Sequence, residues 1–170
     1  MAGRPKFIIG YKKELMLKEL LDLRIENRFN YGKAKGKSKE YIFSNNLYKV
    51  LKEILEDLDY KVISISKEFK LINGICDFVC KLENDEYLII ECKVSSNNIY
   101  DNNDLKFSFA IGQLLTYRTI LSMQYDIEKS KIKLMLVTDN DSILTLDTIK
   151  NENLDVKYLV FEKGGVKYYE

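Results

Sequence analysis

The sequence contains no histidine among its 170 residues. Histidine is the side chain that titrates near neutral pH, and it is a common partner of nucleophilic serine or cysteine and a common zinc ligand. Its absence excludes Ser-His-Asp triads, Cys-His nucleophiles, His-based zinc sites and nucleases with a histidine general base. Any hydrolysis therefore has to use carboxylates, lysine, tyrosine or a hard metal ion.

Cysteines and long apolar segments are also scarce. The three cysteines, Cys76, Cys80 and Cys92, are an odd number and lie in predicted strands. This favours reduced thiols over a disulfide framework. No apolar run approaches the roughly 18 residues that a membrane span needs, and the first ten residues lack the pattern of a signal peptide. We expect a cytoplasmic protein that does not contact a membrane.

The net charge is only +1, but it is unevenly distributed along the chain. Residues 1–39 hold 11 Lys/Arg and 4 Asp/Glu, whereas residues 40–170 hold 16 Lys/Arg and 22 Asp/Glu. A basic arm on an acidic body favours a polyanionic partner such as DNA, although a solvated lysine-rich face is the alternative. The candidate phosphate contacts are Arg4, Lys6, Arg28, Lys33, Lys35, Lys37 and Lys39.

Hydrophobic periodicity predicts a single α/β domain with a mixed central sheet flanked by helices. The N-terminal residues 1–37 are expected to form a basic helical extension, and residues 38–170 the core. The predicted elements are a mobile tail (1–10), helices at 11–27, 38–58 and 106–123, strands at 61–69, 75–82, 86–94, 131–137, 156–161 and 166–169, and an ambiguous, helix-compatible segment at 142–153.

Three charges stand out in a predicted hairpin, "GICDFVCKLENDEYLIIECKV" at residues 74–94. Side chains alternate faces along a strand, so Glu91 and Lys93 point the same way, and a turn near residues 83–86 lets Asp77 reach the same face. Two neighbouring carboxylates repel one another unless a cation neutralises them. Mg²⁺ prefers oxygen ligands of this kind, so the hairpin predicts a magnesium site for phosphodiester chemistry.

The pairing of Cys76-Asp77 with Glu91-Cys92-Lys93 resembles the PD-(D/E)XK nuclease superfamily, with Cys76 in place of the proline. The resemblance implies a restriction-endonuclease-like fold. It also implies that Asp77, Glu91 and the main-chain carbonyl of Cys92 hold Mg²⁺, for which Mn²⁺ would substitute. Lys93 would then orient the attacking water.

Two further features are similar to members of that superfamily. Gln113 and Tyr117 lie at i, i+4 on a predicted helix and resemble the QxxxY motif of RecB-type nucleases, although a polar surface face is the alternative. Glu40 continues the apolar stripe of the first core helix toward the sheet, where many members carry an acidic residue. Asn45 or Asn46 could occupy that place instead.

These features together lead us to expect a Mg²⁺-dependent DNA endonuclease that leaves 5′-phosphate and 3′-hydroxyl ends. We expect a restriction, mobile-element or phage-related role and a homodimer that cuts two strands. The alternatives are a non-cleaving DNA-binding protein on the same fold, a phage recombination or repair exonuclease, and a structural α/β interaction module. An RNA substrate also remains open.

Overall fold

The computed structural model describes residues 5–7 through their backbone and residues 38–98, 101–163 and 165–169 in full. Two 3₁₀ turns, Glu83–Asp85 and Lys129–Lys131, join strands and helices. The strands and α-helices, in chain order, are β1 (Pro5–Phe7), α1 (Lys39–Asp57), β2 (Val62–Leu71), β3 (Gly74–Leu82), β4 (Tyr87–Lys93), α2 (Asn103–Tyr125), β5 (Ile132–Thr138), α3 (Ile143–Asn151), β6 (Lys157–Glu162) and β7 (Gly165–Tyr169).

The strands form one mixed sheet in the order β1-β7-β6-β5-β4-β3-β2. β4, β5 and β6 run parallel, and the other neighbouring pairs are antiparallel. One face of the sheet packs against α1 and the other against α2 and α3, so the core has two layers. The α/β class with a mixed sheet flanked by helices is therefore confirmed. Among the described residues, no helix is both long enough and apolar enough to cross a membrane.

Helix α1 forms where the apolar spacing predicts it. The Ser38 side chain accepts a hydrogen bond from the backbone N–H of Tyr41 and so caps the first turn. The face that the 3.6-residue period marks is buried against the sheet. Its buried apolar residues are Phe43, Leu47, Val50, Leu51, Ile54 and Leu55. The cap and the stripe together fix the direction in which the first turn, with Glu40, approaches the sheet.

The N-terminal residues depart from the sequence expectation. The prediction of a mobile tail is wrong for Pro5–Phe7, which pair antiparallel with β7 at the edge of the sheet. Three residues are too few to show a hydrophobic period, so the pairing leaves no signal in the sequence. The predicted helix at 11–27 and the boundary at residue 37 lie outside the described residues. The ambiguous segment forms α3, whose start Ser142 caps by accepting from the N–H of Thr145.

The hairpin of β3 and β4 places the charged residues. The two strands pair with Phe78 opposite Ile90 and Val79 opposite Ile89. One further step in the same register sets Asp77 opposite Glu91. Because β4 also pairs in parallel with β5, it lies inside the sheet and is covered on both faces. The predicted hairpin is confirmed, and its charged residues lie at the end of β4, where Glu91 is buried and Lys93 is half-buried.

Candidate active site

Three carboxylates from separate elements meet at one place. Glu40 comes from the first turn of α1, Asp77 from β3 and Glu91 from β4. One carboxylate oxygen of each lies within 4.8 Å of the other two. Glu91 is only 3% exposed, while Glu40 and Asp77 are half-buried. The structure thus brings together both hairpin carboxylates and the acidic residue expected from the helix. The role of Glu40, and the alternative of Asn45 or Asn46 in its place, stays a prediction.

Lys93 lies against two of these carboxylates. Its Nζ donates to Oε1 of Glu91 at 3.0 Å and lies 3.5 Å from Oε1 of Glu40. Burial by itself would lower the pKa of Lys93, but the charges of Glu91 and Glu40 outweigh burial and raise that pKa. The ammonium group therefore stays charged and available as a hydrogen-bond donor at the centre of the site.

The carboxyl group of Glu91 is held in an unfavourable environment. Burial and, after it, the charge of Asp77 raise the pKa of Glu91 to about 7, although Lys93 acts in the opposite direction. Oε2 of Glu91 is buried and has no hydrogen-bond partner among the described residues. Buried polar atoms are normally satisfied, so a carboxylate oxygen without a described partner calls for an explanation, and a cation ligated by that oxygen is one.

Asp77 is oriented by the backbone of the neighbouring strand. Its Oδ2 accepts a hydrogen bond of 2.7 Å from the N–H of Cys92. Burial raises the pKa of Asp77, and this hydrogen bond partly opposes the shift. One oxygen is thereby fixed against the strand. A set of three close carboxylates, one with an unpartnered oxygen, has the hard oxygen donors that Mg²⁺ prefers, so the residues present fit a divalent cation.

The neighbouring thiols do not take part in this donor set. Cys92 is fully buried, with its side chain in the core layer under α1. The thiol of Cys76 lies in the opposite layer, and burial together with the charges of Glu91 and Asp77 raises its pKa to about 12. A thiol held protonated is neither a metal ligand nor a nucleophile. The assignment of the Cys92 carbonyl as a ligand stays a prediction.

Gln113 and Tyr117 face each other on α2. Nε2 of Gln113 donates to the hydroxyl of Tyr117 at 2.8 Å. The Tyr117 ring lies against Gly74 at the start of β3, where an added Cβ would come within 2.8 Å of Cε1. Burial raises the pKa of Tyr117, and the charge of Glu91 contributes to the rise. The pair is thus within electrostatic reach of the carboxylates, and its role stays a prediction.

A clamp just beyond β4 was not foreseen from the sequence. Asp139, directly after β5, accepts hydrogen bonds from the N–H and the hydroxyl of Ser95 at 2.7 and 2.8 Å. Lys39 donates to the Ser95 carbonyl at 2.7 Å, and Lys106 donates to the Val94 carbonyl at 2.8 Å. The parallel pairing of β4 and β5 could have indicated it, because it brings the ends of both strands to one edge.

The predicted basic arm is mostly beyond what the structure describes. Arg4, Arg28, Lys33, Lys35 and Lys37 lie outside the described residues, and Lys6 is described through its backbone alone. Lys39 has a side chain that is 54% exposed and lies 3.7 Å from Asp139. Its ammonium group is therefore anchored beside the carboxylate of Asp139 while remaining open to solvent. Phosphate contact by any of these residues stays a prediction.

Comparison with known proteins gives structural similarity alone. No family model and no curated protein match the sequence. A repair endonuclease from Pyrococcus abyssi is 15% identical (TM-score 0.46), and the alignment covers 68% of this chain and 46% of that one. The small subunit of the heterodimeric restriction endonuclease R.BspD6I is 12% identical (TM-score 0.49), and the alignment covers 88% of this chain and 72% of that one. An XisH family protein from Nostoc punctiforme is 17% identical (TM-score 0.44), and the alignment covers 73% of this chain and 98% of that one. The chain thus spans under half of the repair endonuclease, and these values carry no argument about activity.

Proposed function

We propose that the protein is a Mg²⁺-dependent DNA endonuclease of the PD-(D/E)XK type. One observation carries the proposal. The carboxylates of Glu40, Asp77 and Glu91 converge within 4.8 Å, with Lys93 against two of them. The unpartnered Oε2 of Glu91 supports the same conclusion. Like charges at this distance are unfavourable without a cation, so the arrangement is more consistent with a metal site than with a structural ion pair.

Asp77 and Glu91 would hold the ion, with the Cys92 carbonyl as a further ligand and Glu40 contacting it directly or through water. When bound, Mg²⁺ or Mn²⁺ would lower the pKa of a water and stabilise charge on the scissile phosphate. The chain prepares one of these ligands in advance. The Cys92 N–H fixes one oxygen of Asp77, so that carboxylate does not have to reorganise.

Lys93 would act on the water and the phosphate. Its ammonium group remains charged among the carboxylates, so it is suited to donate a hydrogen bond to the attacking water or to a phosphate oxygen. Tyr117, with its hydroxyl oriented by Gln113, would donate to the DNA backbone from the α2 side. These residues would orient the nucleophile and the phosphate, which is the larger part of what a protein supplies to phosphoryl chemistry.

The substrate would be DNA bound through its phosphates. Lys39 lies 3.7 Å from Asp139, which follows β5, with a side chain that is 54% exposed, and it ends the basic segment of residues 1–39. Lysine and arginine contacts to phosphate supply sequence-independent affinity that falls with salt. The proposed products have 5′-phosphate and 3′-hydroxyl ends, and the proposed setting is restriction or a mobile or phage element.

The test is cleavage of supercoiled plasmid and of linear DNA with Mg²⁺, Mn²⁺ or EDTA. We expect wild type to nick or linearise the plasmid, which an exonuclease cannot do. Asp77→Asn and Lys93→Ala should each lower the rate roughly 100-fold or more, the usual scale for removing a catalytic group. Asp85→Asn and Lys81→Ala, at exposed positions of the same hairpin, are matched controls.

Two results would contradict the proposal. If Lys93→Ala cleaves as fast as wild type, the activity does not come from this site. If wild type binds DNA with a salt-dependent affinity but leaves plasmid and linear substrates intact with either metal, the protein is a non-cleaving DNA-binding protein.

A further inference from the structure

Helix α2 carries an uncharged stripe on the face opposite the sheet. We call it the outer stripe, and it consists of Leu105, Phe109, Gly112, Thr116, Thr119 and Met123. These residues follow one another at intervals of four, three, four, three and four. Intervals of this kind keep side chains on one line along a helix and are those of a coiled-coil seam. The residues that α2 buries against the sheet, which include Leu114 and Leu121, lie on the opposite side.

The outer stripe is uncharged, and its three large apolar residues are open to solvent, whereas Thr119 is half-buried. Phe109 is 72% exposed, Met123 is 79% exposed and Leu105 is 43% exposed. The outward face of a surface helix is normally charged. Here Lys106, which follows Leu105 in the chain, is turned toward the Val94 carbonyl. Solitary exposed apolar residues need no explanation, but three of them on one uncharged line of a 23-residue helix suit an interaction surface.

The middle of the outer stripe can be buried at little cost. The Thr116 hydroxyl donates to the Gly112 carbonyl at 2.8 Å, and the Thr119 hydroxyl donates to the Leu115 carbonyl at 3.3 Å. Both threonines therefore satisfy their donors within the helix. Covering them would leave no unpaired hydroxyl, which otherwise costs about 1–3 kcal/mol. Gly112 has open space around its Cβ position, so a second helix can approach closely there.

The side chains of the outer stripe are complementary to those of a second, antiparallel copy of the same stripe. In an antiparallel pairing centred between Gly112 and Thr116, these two residues face each other across the two-fold axis. Leu105 would then meet the partner's Met123, and the bulky Phe109 would meet the smaller Thr119 of the partner subunit. Large residues thus oppose small ones or flexible ones, and no charge meets another charge.

We propose that the outer stripe is a homodimer interface in which α2 packs antiparallel against α2 of a second copy of this chain. A self-complementary, uncharged surface fits a closed two-fold dimer. The stripe spans 19 residues, from Leu105 to Met123, so it is roughly 27 Å long. A two-helix contact of that length buries less than the roughly 800 Å² per partner of a standard interface, so the dimer is weak and concentration-dependent. Because the stripe lies opposite the buried side of α2, dimerisation leaves the acidic cluster accessible. The proposal does not depend on the nuclease function.

Sedimentation velocity across a micromolar concentration series tests the proposal with the full chain. Wild type should shift from monomer to dimer as concentration rises. Thr116→Lys and Gly112→Glu, each alone, should weaken dimerisation about 10-fold or more, because each buries an unpaired charge. An equimolar mixture of the two variants should form a heterodimer, since the antiparallel register brings one Glu against one Lys. Thr148→Lys is the matched control, because this threonine on α3 also donates to the carbonyl four residues earlier.

Thermal unfolding of each variant separates loss of association from loss of folding. A wild type that stays monomeric at every concentration overturns the proposal. So does a Thr116→Lys variant that dimerises like wild type or like Thr148→Lys. If wild type is monomeric and Thr116→Lys also lowers the melting temperature, the stripe is covered within the chain instead. If both variants are monomeric and their mixture does not associate, the antiparallel pairing is wrong.

Discussion

Replacing Glu91 with glutamine should stabilise the metal-free protein at alkaline pH. The side chain is 3% exposed, its pKa is raised to about 7 by burial and by Asp77, and its Oε2 has no described partner. A neutral amide of the same shape removes the buried charge. It also keeps an oxygen that accepts from Lys93, so the one hydrogen bond of the site that Glu91 makes is retained.

The magnitude follows from the pKa of Glu91. Its ordinary value is 4.5, and the folded protein raises it to about 7. The folded state therefore binds the proton more tightly than the unfolded chain does. Protonated Glu91 therefore contributes to the free energy of unfolding. This contribution is complete below pH 4.5 and is lost as pH rises through about 7. Each pKa unit is about 1.4 kcal/mol, so the charged form costs on the order of 3 kcal/mol at pH 8. The glutamine variant has a cost of its own, because an amide N–H left without an acceptor lowers stability by about 1 kcal/mol. The net effect of Glu91→Gln is then a gain of about 2 kcal/mol at pH 8 and a loss of about 1 kcal/mol at pH 4.5.

The assay is thermal unfolding in EDTA at pH 4.5 and pH 8, with Glu83→Gln at the exposed hairpin turn as the control. A gain of about 2 kcal/mol corresponds to roughly 4–8 °C in a chain of this size. Addition of Mg²⁺ should stabilise wild type more than Glu91→Gln, because the variant has lost a charged ligand. A variant that is less stable than wild type at pH 8, or that gains equally at both pH values, would refute the reasoning.

Three further predictions concern the surroundings of the site. Gly74→Ala would bring a methyl group within 2.8 Å of the Tyr117 ring, so chemical denaturation should show a free energy of unfolding lower by about 1–3 kcal/mol. Gly112→Ala, which meets open space, should be neutral or stabilising by up to about 1 kcal/mol. Asp139→Ala would leave the N–H and hydroxyl of Ser95 without their acceptor. Calorimetry should then show both lower stability and weaker Mg²⁺ binding. Unchanged Mg²⁺ binding would show that the contacts between Asp139 and Ser95 do not affect the metal site. The three cysteines are buried, with raised pKa values, so a thiol reagent should label them in denaturant and hardly at all in the native protein.

The parts of the site that were predictable from the sequence are those encoded locally. The period of two places Glu91 and Lys93 on one face, and a short turn returns the chain so that Asp77 meets them. The 3.6-residue period of α1 likewise aims Glu40 at the sheet. In each case the relevant geometry spans one element or one hairpin, and regular backbone structure propagates it.

The contacts that escaped prediction depend on long-range pairing. Ser95 and Asp139 are 44 residues apart in the chain, and each lies in a segment with the composition of an ordinary loop. Their meeting requires the parallel pairing of β4 and β5, which no local pattern specifies. The early start of α2 has a different cause, since Asn102 accepts from the N–H of Leu105 and begins the helix before its apolar period becomes visible.

The turn between β3 and β4 controls which side of the sheet carries charge. Asn84 and Asp85 both adopt left-handed backbone conformations, with φ of 62° and 57°. Asparagine and aspartate tolerate this region, whereas β-branched residues do not. A turn longer or shorter by one residue would shift the pairing register of β4 against β3 by one residue, so each side chain of β4 would point to the opposite face of the sheet. Glu91 and Lys93 would then lie in the α1 layer, and Cys92 would take their place. The chemistry of the site therefore depends on two solvent-exposed residues that touch none of its atoms, and insertions there should abolish function while leaving a foldable sheet.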